Sequence, residues 1–321
     1  MNITLVTPAP PGSLHGNRVT ALRWAGILRG LGHRVALTDR YEQNRCDLLV
    51  ALHARRSARS IDRFHRQWPD KPLIVALTGT DVYADIRTSS AARRSLQLAS
   101  RLVVLQPLAK DELPPPFKSK VRVIFQSAPP PRRRAGQNRA RFEVCVMGHL
   151  RPVKDPFRTA LAARRLPAAS RLVVLHLGAA LTPSMARRAL REQASNPRYR
   201  WLGGLPRPRA LARLARSRLL VVSSRLEGGA NAVSEALAAG VPVVASRIPG
   251  CVGILGGRYP GYFPVGDTKA LAALLERAET DRPFYETLAA HCRRRAALVD
   301  PGLERAAWGS LLAELFPGRS G

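Results

Sequence analysis

Two carboxylates, Glu227 and Glu235, flank a Gly-Gly turn in the run Glu227-Gly228-Gly229-Ala230-Asn231-Ala232-Val233-Ser234-Glu235. The apolar run Leu219-Leu220-Val221-Val222 precedes it and reads as a buried strand. Ala236-Leu237-Ala238-Ala239-Gly240 follows and reads as a helix closing on a glycine cap. A helix start of this kind presents unpaired N–H groups and a partial positive charge, which suits a diphosphate. Gly228 and Gly229 let the backbone approach a ligand closely. Glu227, in the loop, can accept hydrogen bonds from sugar hydroxyls. Glu235, one to two turns into the helix, can accept from a second pair, such as those of a ribose. By spacing alone, the pattern reads more readily as a tight turn and helix start with solvated acids.

The elements around this motif alternate. Short buried strands are expected at 3–6, 35–37, 48–51, 73–77, 102–105 and 121–125, with a helix over 18–31 ending at Gly32. The segment Pro129-Pro130-Pro131-Arg132-Arg133-Arg134-Ala135-Gly136 reads as a stiff, charged linker. The pattern then restarts, with strands expected at 142–147, 172–175, 199–202, 219–222 and 243–245 and a helical tail over 283–316. Strand–helix alternation predicts an α/β chain with parallel sheets covered on both faces. The expected domains are 1–134 and 135–302, with a final helix at about 303–321 packing back on the first through Trp308 and Phe316.

Composition narrows the function. The 321 residues suffice for two α/β domains, and the formal net charge is +30. Nearly all of that charge is arginine; lysine occurs only at 71, 110, 118, 120, 154 and 269. The arginines are scattered over most expected helix faces, with no aromatic platform or zinc-finger spacing, which argues against nucleic acid as partner. Cys46, Cys145, Cys251 and Cys292 form no C-x-x-C pair and read as buried free thiols. Met1-Asn2-Ile3-Thr4-Leu5-Val6 reads as a strand rather than a signal peptide, and no apolar run approaches ~20 residues. A cytoplasmic protein without membrane insertion is the expectation.

Glu-x7-Glu followed by Ala-Leu-Ala-Ala-Gly-Val-Pro-Val-Val resembles the signature of retaining glycosyltransferases of family 4 type. The resemblance implies a GT-B fold: two doubly wound, Rossmann-like domains facing each other across a ligand cleft. It implies that Glu227 contacts the donor hexose and Glu235 the nucleotide ribose. Gly228, Gly229, Ala230 and Asn231 would complete the donor site. The segment Met147-Gly148-His149-Leu150-Arg151-Pro152-Val153-Lys154-Asp155 resembles the family's Gly-Arg-Leu-x-x-x-Lys-Gly, in which a basic pair holds the donor diphosphate. Lys154 matches the family lysine. His149 stands where the family carries arginine, and Arg151 is the candidate replacement. Fixed cations aimed at the leaving oxygen lower the barrier to its departure. Asp-x-Asp, the usual metal-holding pair of the other large glycosyltransferase fold, does not occur, so a metal-independent reaction without a cofactor is expected.

The first half carries a second set. Pro8-Ala9-Pro10-Pro11-Gly12-Ser13-Leu14-His15-Gly16-Asn17-Arg18 is a glycine-containing loop running into a helix, and its glycines lack the dinucleotide-binding spacing. By the resemblance, Gly16 lies near the diphosphate and Arg18 near an acceptor. His53 ends one strand, and Leu77-Thr78-Gly79-Thr80-Asp81 ends another in a polar turn. The family often has His-Gly where Thr78-Gly79 stands. His15, Asn17, Arg18, His53, Thr78, Gly79, Thr80 and Arg87 make a basic acceptor set, suited to a small anionic nucleophile. Lys154, Arg151, Glu227 and His53 are the candidate catalytic residues. With Leu-Val-Val-Leu-Gln (102–106) and Val-Ile-Phe-Gln-Ser-Ala (123–128), nearly the whole chain resembles the selenosugar synthases of selenoneine biosynthesis. That resemblance implies a UDP-sugar donor, typically UDP-N-acetylglucosamine, and selenophosphate as acceptor. An ordinary transferase acting on a hydroxyl or lipid-phosphate acceptor is the alternative.

Overall fold

The computed structural model describes every residue except Leu14, 132–135, Gln137, Arg139 and 319–321. Half of the expected linker, 132–135, therefore lies outside the described residues. The chain forms two compact units. The first comprises Met1–Gln126, Glu227–Gly229 and Pro301–Gly321; the second comprises Ser127–Leu226 and Ala230–Asp300.

In the first unit, β1 (Asn2–Val6), β2 (Arg34–Thr38), β3 (Leu48–Leu52), β4 (Leu73–Leu77), β5 (Arg101–Val104) and β6 (Val121–Val123) form a parallel sheet of order β2-β1-β3-β4-β5-β6. Its helices are α1 (Gly16–Gly30), α2 (Ala58–Gln67), α3 (Ile86–Thr88) and α4 (Ser90–Leu98). β3 and β4 are buried at every position. Alternate residues feed two separate cores: Leu49, Ala51, Leu73, Val75 and Leu77 pack on one face, and Leu48, Val50, Leu52, Ile74 and Ala76 on the other. The period-2 geometry of a strand thus explains why these segments read as unbroken apolar runs.

The second unit repeats the plan. β7 (Phe142–Met147), β8 (Leu172–Leu177), β9 (Tyr199–Trp201), β10 (Leu219–Val222), β11 (Val243–Ser246) and β12 (Tyr262–Phe263) form a parallel sheet of order β12-β11-β10-β7-β8-β9. The helices are α5 (Arg158–Ala163), α6 (Pro183–Ser195), α7 (Arg207–Arg216), α8 (Asn231–Ala239), α9 (Pro249–Leu255), α10 (Thr268–Thr280) and α11 (Arg282–Arg295). β12 is too short to carry a periodic signal and is absent from the sequence reading. The helical tail is two helices, because Pro301 starts a fresh helix, α12 (Pro301–Leu315), after the turn Ala296–Val299. No helix among the described residues is long and apolar enough to cross a membrane. All four cysteines are free and buried.

α12 belongs to the first unit, and its attachment has a polar heart. Trp308 is fully buried edge-to-face against Trp24 of α1, with ring centroids 4.9 Å apart. One turn earlier, the buried Glu304 accepts hydrogen bonds from Trp24 Nε1 (2.7 Å) and Arg23 Nε (2.9 Å). Near the other end of the helix, Glu314 accepts from Arg101 Nε (2.7 Å) on β5 and Arg122 Nε (2.8 Å) on the edge strand β6. The Glu314 pairs are partly exposed and contribute little, whereas Glu304 is enclosed. Glu304→Ala leaves an indole N–H and a guanidinium without their acceptor. It should cost about 3 kcal/mol in urea unfolding, with Glu304→Gln closer to wild type.

Candidate active site

The carboxyl ends of parallel strands are where these sheets stop covering themselves. In the first unit, the registers Val6↔Ala51 and Leu52↔Ala76 bring the residues after β1, β3 and β4 to one rim. The rim is shaped by a buried acid. Asp81, with no solvent exposure, accepts hydrogen bonds from the backbone N–H groups of Thr78 (3.0 Å), Gly79 (2.7 Å) and Ala54 (3.1 Å). It holds the Thr78–Thr80 turn against the end of β3 and is spent in doing so. Asp81 opens a single π-helical turn, Asp81–Asp85, and Asp85 pairs with Arg55 Nε at 3.1 Å.

His53 lies beneath this turn, buried, with φ 72° in the left-handed region. Its Nδ1 accepts from the Arg56 N–H (3.4 Å), which leaves Nε2–H to donate to Thr80 Oγ1 (3.0 Å). Burial lowers its pKa, outweighing the pull of Asp81 and Asp85 in the other direction, so the ring is neutral at neutral pH. Thr80 and His53 thus serve each other. Arg87, expected at the same site, instead pairs with Glu112 on the surface. The tie uses a guanidinium counted in the basic set.

Several polar groups of the first unit stand differently, and Asp85 Oδ2 is one of them. Thr7 Oγ1, Ser13 Oγ, Thr78 Oγ1 and the Nε and Nη1 of Arg18 are buried without a hydrogen-bond partner. Thr7 directly follows β1 and Thr78 directly follows β4, while Arg18 lies in the first turn of α1. That helix has no acidic residue in its first turn, and its N-cap, His15, makes no side-chain cap. Gly16 and Asn17 are its first two residues. Two buried guanidinium nitrogens without an acceptor, in the first turn of a helix, are an unfavourable arrangement that an anion relieves. Ser13 and Thr7 were not singled out in the sequence, because lone hydroxyls in a proline-rich loop carry no spacing signal.

The same unit includes Glu227–Gly229. A Cβ on Gly228 would sit 2.3 Å from the Thr78 carbonyl oxygen, and one on Gly229 would sit 2.3 Å from Leu105 Cβ. The glycines therefore have a cause inside the protein: the loop lies too close to the Thr78 turn and to Leu105 for any side chain.

In the second unit, the donor candidates sit on loops locked by close backbone contact. A Cβ at Gly178 would lie 1.9 Å from the Gly148 oxygen, so only glycine allows the loops after β7 and β8 to meet. His176 braces the junction. Its Nε2 lies 3.1 Å from the Gly148 oxygen and its Nδ1 3.0 Å from Tyr199 Oη. Enclosure pushes the His176 pKa down to about 4. His149 Nδ1 accepts the Ala179 N–H at 3.2 Å, which leaves its Nε2 able to donate in the neutral ring. The Lys154 stem packs over Gly148, 3.6 Å from that residue's Cβ position. The turn that carries Lys154 is stitched to the end of β10: Ser223 Oγ donates to the Lys154 and Asp155 oxygens, and the Arg225 N–H donates to the Val153 oxygen. Arg151 is exposed ahead of that turn.

α8 begins at Asn231, after Ala230, and ends at Gly240 in the left-handed conformation (φ 69°). Its N-terminus has no side-chain cap and no acid in its first turn. Glu235 is 5% exposed and pairs with Arg207 Nη1 at 2.6 Å. Arg207 is a residue the sequence reading did not select among so many arginines. Among the described residues, no group of three His, Cys, Asp or Glu side chains is placed to hold a metal ion.

The family model of group 1 glycosyl transferases matches residues 131–297, more than half of the chain. This protein belongs to that family. Its two parallel six-stranded sheets match those of GT-B glycosyltransferases. HepE from Anabaena, in complex with UDP-glucose, is similar at 15% identity and TM-score 0.78, over 98% of this chain and 100% of that one. Sucrose-phosphate synthase from Thermosynechococcus elongatus is similar at 18% identity and TM-score 0.77, over 98% and 99%. A glycosyltransferase from Rickettsia africae is similar at 14% identity and TM-score 0.75, over 99% of each chain. These three likenesses speak for the fold. No curated protein matches the sequence.

His176 gives the second unit a pH signature. Its folded pKa of about 4 lies below the unfolded value of 6.5, so the stability it supports is complete above pH 6.5. That stability is lost as pH falls towards 4, by up to about 3 kcal/mol. Urea unfolding of wild type and His176→Asn at pH 7 and pH 4.5 should show the variant losing less stability on acidification.

Proposed function

We propose that the protein transfers a sugar from a UDP-sugar, UDP-N-acetylglucosamine being the leading donor, to selenophosphate. The selenium lone pair attacks the anomeric carbon and a C–Se bond forms. The bond from that carbon to the diphosphate oxygen breaks, its electron pair leaving with UDP. The carrying observation is that Arg18 Nε and Nη1, in the first turn of α1, and the Thr7, Ser13 and Thr78 hydroxyls of the same unit are buried without a hydrogen-bond partner. An anion with tetrahedral oxygens satisfies such a set.

The state of Asp81 supports the same reading. A hydroxyl nucleophile benefits from a base, and Asp81 is consumed by three N–H groups. Selenophosphate brings its own negative charge and needs no deprotonation by the protein. On the donor side, Lys154 and the Nε2–H of His149 would meet the diphosphate, with the Gly16 backbone and the α8 N-terminus as further candidates. Glu227 and Asn231 would hold the hexose and Glu235 the ribose. Cations of the chain would neutralise the departing UDP, so the reaction is proposed to proceed without a metal. HepE is described in complex with UDP and with UDP-glucose, which favours a uridine nucleotide here too. The cytoplasm, where a phosphorylated selenium donor stays reduced, is the proposed location.

The test measures UDP release from UDP-N-acetylglucosamine with and without fresh selenophosphate, and reads the product by mass for selenium's isotope pattern. Selenophosphate-dependent UDP release with a seleno-sugar mass is expected. UDP release that ignores selenophosphate and gives no selenium-bearing product would sink the acceptor assignment. Arg18→Ala should raise the selenophosphate KM by ~100-fold and leave the donor KM nearly unchanged. Lys154→Ala should instead lower kcat by ~100-fold or more in a folded protein.

A further inference from the structure

The Arg207–Glu235 pair asks for an explanation of its own. Glu235 lies in the second turn of α8 among the buried residues Val233, Ser234, Ala236 and Leu237. A carboxylate in such surroundings is costly without a partner cation and tends to take up a proton. Arg207 supplies the cation, 2.6 Å from Oε1. It comes from the first turn of the neighbouring helix α7, between Pro206 and Pro208, whose rings restrict the backbone on either side. The pairing is lopsided: the Arg207 side chain is 35% exposed and the Glu235 side chain 5% exposed. The arginine therefore reaches the acid from the solvent side.

We infer that Arg207 is a positioning residue of the nucleoside subsite, fixing the ionised Glu235 carboxylate so that it selects a ribose with both hydroxyls. The inference rests on the reading of Glu235 as the ribose acceptor and adds to it the residue that makes the acceptor work. A carboxylate oxygen has two lone pairs, so one that accepts from a guanidinium keeps capacity for a sugar hydroxyl. A protonated or swivelled Glu235 would lose that geometry. A site built to accept from hydroxyls discriminates sharply against analogues that lack them.

Calorimetric titration of the full-length protein with UDP and with 2′,3′-dideoxy-UDP tests this. The wild type should prefer UDP by ~10-fold or more. Arg207→Ala should weaken UDP by ~10-fold while changing the dideoxy analogue by less than ~2-fold, which collapses the preference. Arg207→Lys, which keeps the charge, should restore part of it and guards against a folding defect in the alanine variant. A general structural role would weaken both ligands together, and that result overturns the inference. An unchanged preference in Arg207→Ala, with Glu235→Gln abolishing it, also overturns the inference and leaves the ribose reading standing. A Glu235→Gln variant that keeps the wild-type preference would remove the ribose reading itself, and the role of Arg207 with it.

Discussion

A parallel sheet buried on both faces can place polar chemistry only at its ends. Everything in these two units follows from that constraint. β3 and β4 are apolar at every position because each side of the sheet is a core. The loops at the carboxyl ends must then hold their shape without help from a covering layer. The chain solves this with buried polar groups that face inward. Asp81 gathers three backbone N–H groups and sets the Thr78–Thr80 turn. His176 braces the Gly148 loop through its carbonyl. Ser223 ties the Lys154 turn to the end of β10. Each is a polar side chain spent on backbone, and a low local dielectric makes such fully satisfied contacts rigid.

The excess of arginine takes on structure when its partners are followed. The acids are few, and many of them are already engaged: Glu304 by Arg23, Glu314 by Arg101 and Arg122, Asp62 by Arg66 and Arg94, Glu192 by Arg164, and Glu235 by Arg207. Most of these pairs are exposed and worth little individually. Their joint effect is to neutralise carboxylates, which leaves the field of the chain with little negative charge to oppose an anion. Against that background, the buried and unpartnered nitrogens of Arg18 stand out physically, although arginine at position 18 is unremarkable in a sequence so rich in it.

What the sequence disclosed and what it concealed divide along one line. The strands at 73–77, 142–147 and 219–222 are read at the bounds the structure gives, because an unbroken apolar run admits few alternatives. The glycine cap at Gly240 was equally legible, since a left-handed residue closing a helix is a local fact. Contacts made across the chain were not. Gly178 looks like any loop glycine until Gly148 is seen to occupy the space of its Cβ. Gly228 and Gly229 read as room for a ligand, and the structure adds a second reason for glycine there, since a Cβ on one would meet the Thr78 carbonyl and on the other Leu105. Arg87 counted towards a basic site, and Glu112 claims it. Arg207 is distinguished from its neighbours only by the carboxylate it reaches.

The departure at His149 follows the same logic of local charge. Because Nδ1 accepts the Ala179 N–H, the ring keeps its remaining proton on Nε2 without becoming a cation. Such a ring is a hydrogen-bond donor of fixed direction with no net charge, where the family pattern has a guanidinium. In the proposed reaction, long-range attraction for the diphosphate would then fall chiefly to Lys154, whose stem is laid across Gly148 and whose turn is fastened at both carbonyls by Ser223. A flexible lysine loses rotamer entropy when it is ordered on a ligand. Support of the stem before binding reduces that loss, so the preorganised backbone around Lys154 compensates in part for the charge absent at His149. Within the proposed reaction, this leaves the departing UDP with one strong cation and one directional donor. That division favours stabilising charge as it develops on the leaving oxygen over holding the intact donor tightly.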